Sequence, residues 1–163
     1  MPQRFLGANV ILDSVTPKTA DDARAFARLL RRLGWNAVRI HQHEQDLVGA
    51  DGFSLDPAKM RRFDAFVAAC IAEGLYLQTD LYVTRKVKGY DLHGFKETIV
   101  CGDETAFANY LAWAKAFLTH RNAETGRTLC EEPALAFVTL INEDNIGNRK
   151  HVARENGWEQ RAA

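Results

Sequence analysis

Short apolar runs alternate along this chain with stretches whose apolar residues recur every three or four positions. FLGANVIL (5–12) is a compact apolar segment bounded by Asp13, Ser14 and Pro17, the pattern of a strand. In TADDARAFARLLRRLG, Ala23, Phe26, Leu30 and Leu33 fall at helical spacing, acids open the first turn and Gly34 stands at the stop. NAVRIH (36–41) is a second strand. DPAKMRRFDAFVAACIAEG is a fully punctuated helix: Asp56 caps it, Pro57 takes the first position, Met60, Phe63, Val67 and Ile71 form the stripe, and Gly74 ends it. LYLQTDLYV (75–83) is the third strand, and the loop after it is long enough to suggest function. A third helix is expected from Asp103 to about His120, with Phe107, Leu111, Ala114 and Leu118 inward. ALAFVTLI (134–141) is the fourth strand, and the polar tail GNRKHVARENGWEQRAA leaves room for a last helix.

Strands that alternate with helices need right-handed crossovers and a parallel sheet, either doubly wound or closed as a (β/α) barrel. Neither GxGxxG nor GxxxxGK[ST] occurs in the chain, which weakens the nucleotide-binding sheet. The 163 residues fit one domain spanning 1–163.

Composition narrows the classes of partner. Hydrophobic residues make up 47% and charged residues 26%, as in ordinary soluble globular proteins. Acids and bases balance at 21 each, so neither nucleic acid nor a membrane surface is expected as partner, and a neutral surface favours self-association. No run approaches a membrane span of about 20 apolar residues, and the start MPQRFLGANVILDS lacks the basic and apolar regions of a signal peptide. The chain is expected to be soluble. Cys70, Cys101 and Cys130 lack CxxC pairing and are expected as free thiols.

Alternation sorts the strand side chains onto two faces. Val38 and Ile40 oppose Arg39 and His41; Leu75, Leu77, Thr79 and Leu81 oppose Tyr76, Gln78, Asp80 and Tyr82; Gly7, Asn9 and Ile11 oppose Leu6, Ala8, Val10 and Leu12. One face is apolar and suits packing under helices. The polar residues of the other gather at the C-terminal strand ends: Asn9, Arg39, His41, Gln78 and Asp80, then Asn142 and Glu143 after the fourth strand. In a barrel those ends converge on one mouth, where active sites lie. A purely structural role, with Arg39 and Asp80 holding strands in register, accounts for two of these residues and leaves His41, Asn142 and Glu143 unexplained.

GWNAVRIH, GLYLQTDLYV, YLAWAKAFLTHRNAETGRTLCEEPALAFVTLINED and FLGANVIL together resemble family 5 glycoside hydrolases, a cellulase-like branch of the retaining (β/α)8-barrel glycosidases. The resemblance runs in order along almost the whole chain, and its most specific element is EEPALAFVTLINED, where that clan places Asn-Glu at the end of barrel strand four. It implies half of a TIM barrel, (βα)4, against about 250 residues for a whole one. It matches Glu143 to the general acid/base, Asn142 to the residue that hydrogen-bonds the sugar 2-hydroxyl, and Arg39 to the arginine that supports the nucleophile. His41 and Asp80 fall where relatives carry sugar-contacting or supporting residues; Asn9, Gln78 and Tyr82, at the same strand ends, are expected in similar roles. The implied substrate is a β-linked oligo- or polysaccharide, with no cofactor and no metal.

Retaining hydrolysis uses two carboxyl groups about 5–5.5 Å apart. The acid holds its proton best at the end of an apolar strand, where desolvation raises its pKa, and ALAFVTLI leading into Glu143 suits that. The family's nucleophile is a second glutamate after strand seven, and no glutamate here matches it. Asp144 and Glu44 are expected to be solvated loop charges. Because four strands cannot close, self-association is expected, most simply a homodimer that completes the ring. The partner copy's Asp80 would then stand near the position of the unmatched nucleophile.

Two rivals remain open. His41 and His43, two residues apart after a strand, with Asp80, His93 and Glu44, would suit a metal-dependent hydrolase. Alternatively the half-barrel binds carbohydrate without cutting it, stacking sugar rings on Tyr82, Tyr90 or Phe53; Trp35 and Trp113 are assigned to packing.

Overall fold

The computed structural model describes residues 4–11, 17–51, 54–87, 95, 96, 99 and 103–143. Strands β1 (Gly7–Ile11), β2 (Ala37–His41), β3 (Tyr76–Asp80) and β4 (Leu135–Thr139) form one sheet in the order β1-β2-β3-β4, every neighbouring pair parallel. The connections carry helix α1 (Ala20–Arg32), the single turn α2 (Glu44–Leu47), and helices α3 (Pro57–Ala72) and α4 (Glu104–Thr119). Strands adjacent in sequence are adjacent in the sheet, as in a barrel and unlike a doubly wound sheet with its reversal of strand order. The fold is α/β, as the alternation of periods predicts, and half-barrel-like, as the resemblance implies. Phe53, Tyr90, His93, Cys101, Asp144 and the expected tail helix lie outside the described residues.

Local chemistry explains the helix boundaries. Thr19 Oγ1 accepts from Asp22 N to open α1, Asp56 Oδ1 accepts from Ala58 N and Lys59 N to open α3, and Asp103 Oδ1 accepts from Ala106 N to open α4. Gly74 follows α3 at φ +72, a left-handed position that suits glycine. The core joins Val10, Val38, Ile40 and Leu77 of the sheet to Ala27 of α1, Phe63 and Phe66 of α3, and Trp113 and Phe117 of α4.

Two expected stripes are shifted. Leu33 is exposed, and α1 instead buries Ala23, Ala27 and Leu30. On α4, Phe107 and Leu111 are exposed while Ala106, Tyr110, Trp113, Ala114 and Phe117 are buried. The polar handles of the aromatics set that rotation: Trp113 Nε1 donates to Leu81 O (2.9 Å) and the Tyr110 hydroxyl to Leu140 O (3.1 Å). Phe107 and Leu111 are left facing away.

The apolar run of β4 does not make a buried strand. Phe137 is 49% exposed and Val138 37%, because β4 has a strand on one side only. The other large exposed hydrophobics among the described residues are also confined to the two ends of the sheet. Phe5, Leu6, Ile11, Leu29 and Leu33 belong to β1, α1 or their flanks; Phe107, Leu111 and Leu140 belong to α4 or follow β4. No described helix is long and apolar enough to cross a membrane.

Candidate active site

The strand register sets the polar residues in rows. Asn9, Arg39 and Gln78 are consecutive partners across β1, β2 and β3. Between β3 and β4 the register slips, with Leu77 opposite Leu135 and Gln78 opposite Phe137, so Ala136 is the extra residue of a bulge. Asp80 thereby comes opposite Thr139. Gln78 Nε2 donates to Thr139 Oγ1 at 3.0 Å. Below these residues the face opens as a groove of about 430 Å³, lined by Asn9, Arg39 and Gln78 and by the rings of Phe5, Tyr76 and Phe137. Phe5 meets both other rings edge-on, 5.2 Å from Tyr76 and 4.9 Å from Phe137 between centroids.

At the C-terminal strand ends four of the expected residues form one network. Arg39 Nη2 donates to Asp80 Oδ1 at 2.9 Å and to Asn142 Oδ1 at 2.6 Å. His41 Nδ1 lies 2.7 Å from Asp80 Oδ2. A carboxylate can only accept, so Nδ1 carries the proton and Nε2 is the ring edge left for a ligand. Asp80 is fully buried with both oxygens engaged. It orients the guanidinium and the imidazole and offers nothing further to a substrate. The Arg39–Asp80 pair does link β2 to β3, as the structural alternative requires, but the network continues to His41 and Asn142.

Asn142 is buried, and its backbone N–H donates to Tyr82 O at 2.9 Å. Since Asn142 Oδ1 accepts from Arg39, its Nδ2 is the group left to donate to a ligand. The next residue, Glu143, takes a left-handed φ of +53, as does Gln42 directly after β2. Such angles are uncommon outside glycine and concentrate at functional loops. Glu143 is exposed. Its expected burial at the end of an apolar strand is therefore not found, for the same reason that β4 is open: no element of the described chain covers it.

Three other expectations are corrected. Tyr82 is fully buried, its hydroxyl donating to Arg85 O and its ring beside Phe95 and the Arg85 guanidinium, so it belongs to the core and not to a sugar platform. Glu44 is not solvated; it is fully buried, and its Oε1 accepts from the backbone N–H groups of Val83 and Thr84. His43 does not share a face with His41. The left-handed Gln42 between them turns the chain, and His43 is buried against Phe63 and Phe117 with Nε2 3.2 Å from Thr79 Oγ1. Burial lowers the pKa of His43, against the opposing pull of Glu44 and Asp80. Among the described residues no three His, Cys, Asp or Glu side chains are grouped to hold a metal ion.

Asn9 lines the groove but is not among the four linked residues. Sequence reasoning missed Thr139, the partner of Gln78, and the placing of Glu44. One signal for Glu44 was available: Leu47, three residues on, is a core residue of the same helical turn, and that spacing puts Glu44 on the inward side.

No protein-family model matches the chain, and no curated protein sequence matches it significantly. Solved structures do. The endo-1,4-beta-mannanase of Rhizomucor miehei superposes with a TM-score of 0.66 at 14% identity, over 86% of this chain and 44% of that one. The endo-beta-1,4-mannanase of Thermotoga petrophila gives 0.68 at 19%, over 94% and 38%. The hyperthermostable endo-1,4-beta-D-mannanase of Thermotoga petrophila RKU-1, solved with maltose and glycerol, gives 0.69 at 18%, over 94% and 50%. The likeness at these identities is one of fold, and the chain spans half or less of the length of the enzymes it matches.

Proposed function

We propose that this chain is the acid/base-bearing half of a retaining glycoside hydrolase of the family 5 type, acting on a β-1,4-linked polysaccharide. Glu143 is the proton donor and then the base, Asn142 grips the sugar 2-hydroxyl, and Arg39 and His41, oriented by Asp80, contact substrate or the second carboxylate. Arg39 Nε, buried without a partner among the described residues, is a donor in reserve for that carboxylate. The observation that carries the reading is the 2.6 Å bond from Arg39 to Asn142, which joins the ends of β2 and β4 beside Glu143.

The reading extends to assembly. The apolar side chains at the two ends of the sheet, Leu6 and Leu29 on one flank and Leu111 and Leu140 on the other, are surfaces a second copy would cover. Pairing β4 of one chain with β1 of another continues the parallel order toward an eight-stranded ring. Asp80 is a poor substitute nucleophile, since Arg39 and His41 hold both of its oxygens. The chain alone is accordingly weakly active or inactive.

A second reading, glycan binding without cleavage, is favoured by that same engagement of both Asp80 oxygens, which leaves the site's buried carboxylate no free oxygen for attack. One set of measurements separates the two: calorimetric titration with β-1,4-mannohexaose and cellohexaose, beside hydrolysis of aryl β-glycosides. Hydrolysis abolished by Glu143→Gln supports the catalytic reading, and binding without hydrolysis supports the second. Neither binding nor hydrolysis would rule out both. Sedimentation giving only a monomer would end the assembly proposal.

A further inference from the structure

Glu44 is a carboxylate with no access to solvent, yet it makes no ion pair with the strand-end network. It opens the turn α2, directly after the β2 loop, and its Oε1 reaches across to the segment that follows β3. There it accepts from two successive backbone donors, Val83 N at 2.5 Å and Thr84 N at 2.6 Å. Successive N–H groups converging on one carboxylate oxygen fix the backbone between them more tightly than a single bond does, and charge-assisted bonds are about twice as strong as neutral ones.

The segment so held is itself the support of β4. Leu81 N donates to Thr139 O at 2.8 Å, and Tyr82 O accepts from Asn142 N at 2.9 Å. The Tyr82 C=O and the Val83 N–H belong to one planar peptide group, so the carbonyl that anchors the Asn142 backbone is bonded to the nitrogen that Glu44 holds. Trp113 Nε1 adds a bond to Leu81 O, and the Tyr82 hydroxyl one to Arg85 O. The side chain of Asn142 is meanwhile held by Arg39. Asn142 is thus located twice, by its side chain through β2 and by its backbone through the segment after β3.

We propose that Glu44 is a positioning residue for Asn142 and the adjoining Glu143, acting through Val83, Thr84 and the Tyr82 carbonyl. It touches no substrate. It sets where the β4 end stands relative to Arg39, so its loss loosens the site without removing any side chain from it. The sugar-binding arm of the test rests on the glycan reading above, whereas the amide-exchange arm does not.

The test is site-resolved hydrogen exchange on the full chain, comparing wild type with Glu44→Ala, Glu44→Gln and Glu44→Asp. Glu44→Ala is expected to speed exchange at Val83, Thr84 and Asn142 together, by about tenfold or more, with Val38 and Ile40 of the core sheet unchanged. Glu44→Gln keeps an acceptor oxygen but not the charge, and is expected to fall between wild type and Glu44→Ala. Should Glu44→Ala fail to fold, Glu44→Asp, one methylene too short to reach both donors, is expected to show the same pattern at smaller amplitude. Faster exchange at Val83 and Thr84 with Asn142 unchanged overturns the proposal. In parallel, the affinity for β-1,4-mannohexaose is expected to fall about tenfold in Glu44→Ala. If the wild type binds no glycan while the three amides still exchange together, the glycan reading fails and the positioning role stands.

Discussion

Arg39 and Asn142 lie 103 residues apart in the chain and 2.6 Å apart in the fold, guanidinium to side-chain carbonyl. That contact makes one site of two strand ends that do not pair directly. It holds because Asp80, on the strand between them, takes the same Arg39 nitrogen with Oδ1 and His41 with Oδ2. Removing the central carboxylate therefore strips the site of its organiser and leaves a partly buried cation uncompensated.

Asp80→Ala is expected to cost about 3–5 kcal/mol of folding stability, the range for breaking one side of a buried ion pair. Urea unfolding monitored by tryptophan fluorescence measures it. A loss below about 1 kcal/mol would place the pair with exposed surface bridges, contrary to its burial.

His43 gives stability a pH dependence of definite sign. Burial lowers its folded pKa below the ordinary imidazole value of 6.5, so in acid the unfolded chain takes up a proton that the folded chain refuses. This contribution is intact above about 6.5 and is lost as pH falls below it. Unfolding free energies at pH 7.5 and 5.5 should differ less in His43→Asn than in the wild type. An equal difference in both would show that His43 titrates without strain.

Burial separates the reactivities of two thiols. Cys130 is exposed, whereas Cys70 is buried with its pKa pushed up to about 12. Because the thiolate is the nucleophile, Cys70 is expected to stay unmodified by iodoacetamide at pH 8 in the native protein while Cys130 reacts. Peptide mapping by mass spectrometry reads both. Modification of Cys70 at a rate near that of Cys130 would mean that the α3 packing opens readily.

Much of this arrangement is legible in the sequence because strand alternation is a local property. Val38 and Ile40 against Arg39 and His41 is a period-two pattern, and the structure buries the first pair and turns the second toward Asp80. What was not legible depends on distant partners. The burial of Glu44 is set by Val83 and Thr84, 39 and 40 residues away, and a charged residue after a strand otherwise reads as loop. Tyr82 follows the alternation of β3 on paper, but the strand ends at Asp80 and the ring turns into the core beside Phe95. The rotation of α4 came from hydrogen bonds by Trp113 and Tyr110, which a count of apolar positions does not weigh. The exposure of Glu143 follows from the open edge at β4, while an apolar run by itself reads as buried.

In the proposed function the strand ends of β2, β3 and β4 form one glycan-gripping site built around Asn142. Its most direct test is a titration with β-1,4-mannohexaose followed residue by residue in heteronuclear NMR spectra of the wild type and of Asn142→Ala. The expected result is saturable shifts at Arg39, His41, Asn142 and Glu143 in the wild type, lost in a variant that remains folded. Shifts confined to other surfaces, no shifts at all, or shifts that survive intact in Asn142→Ala would contradict it.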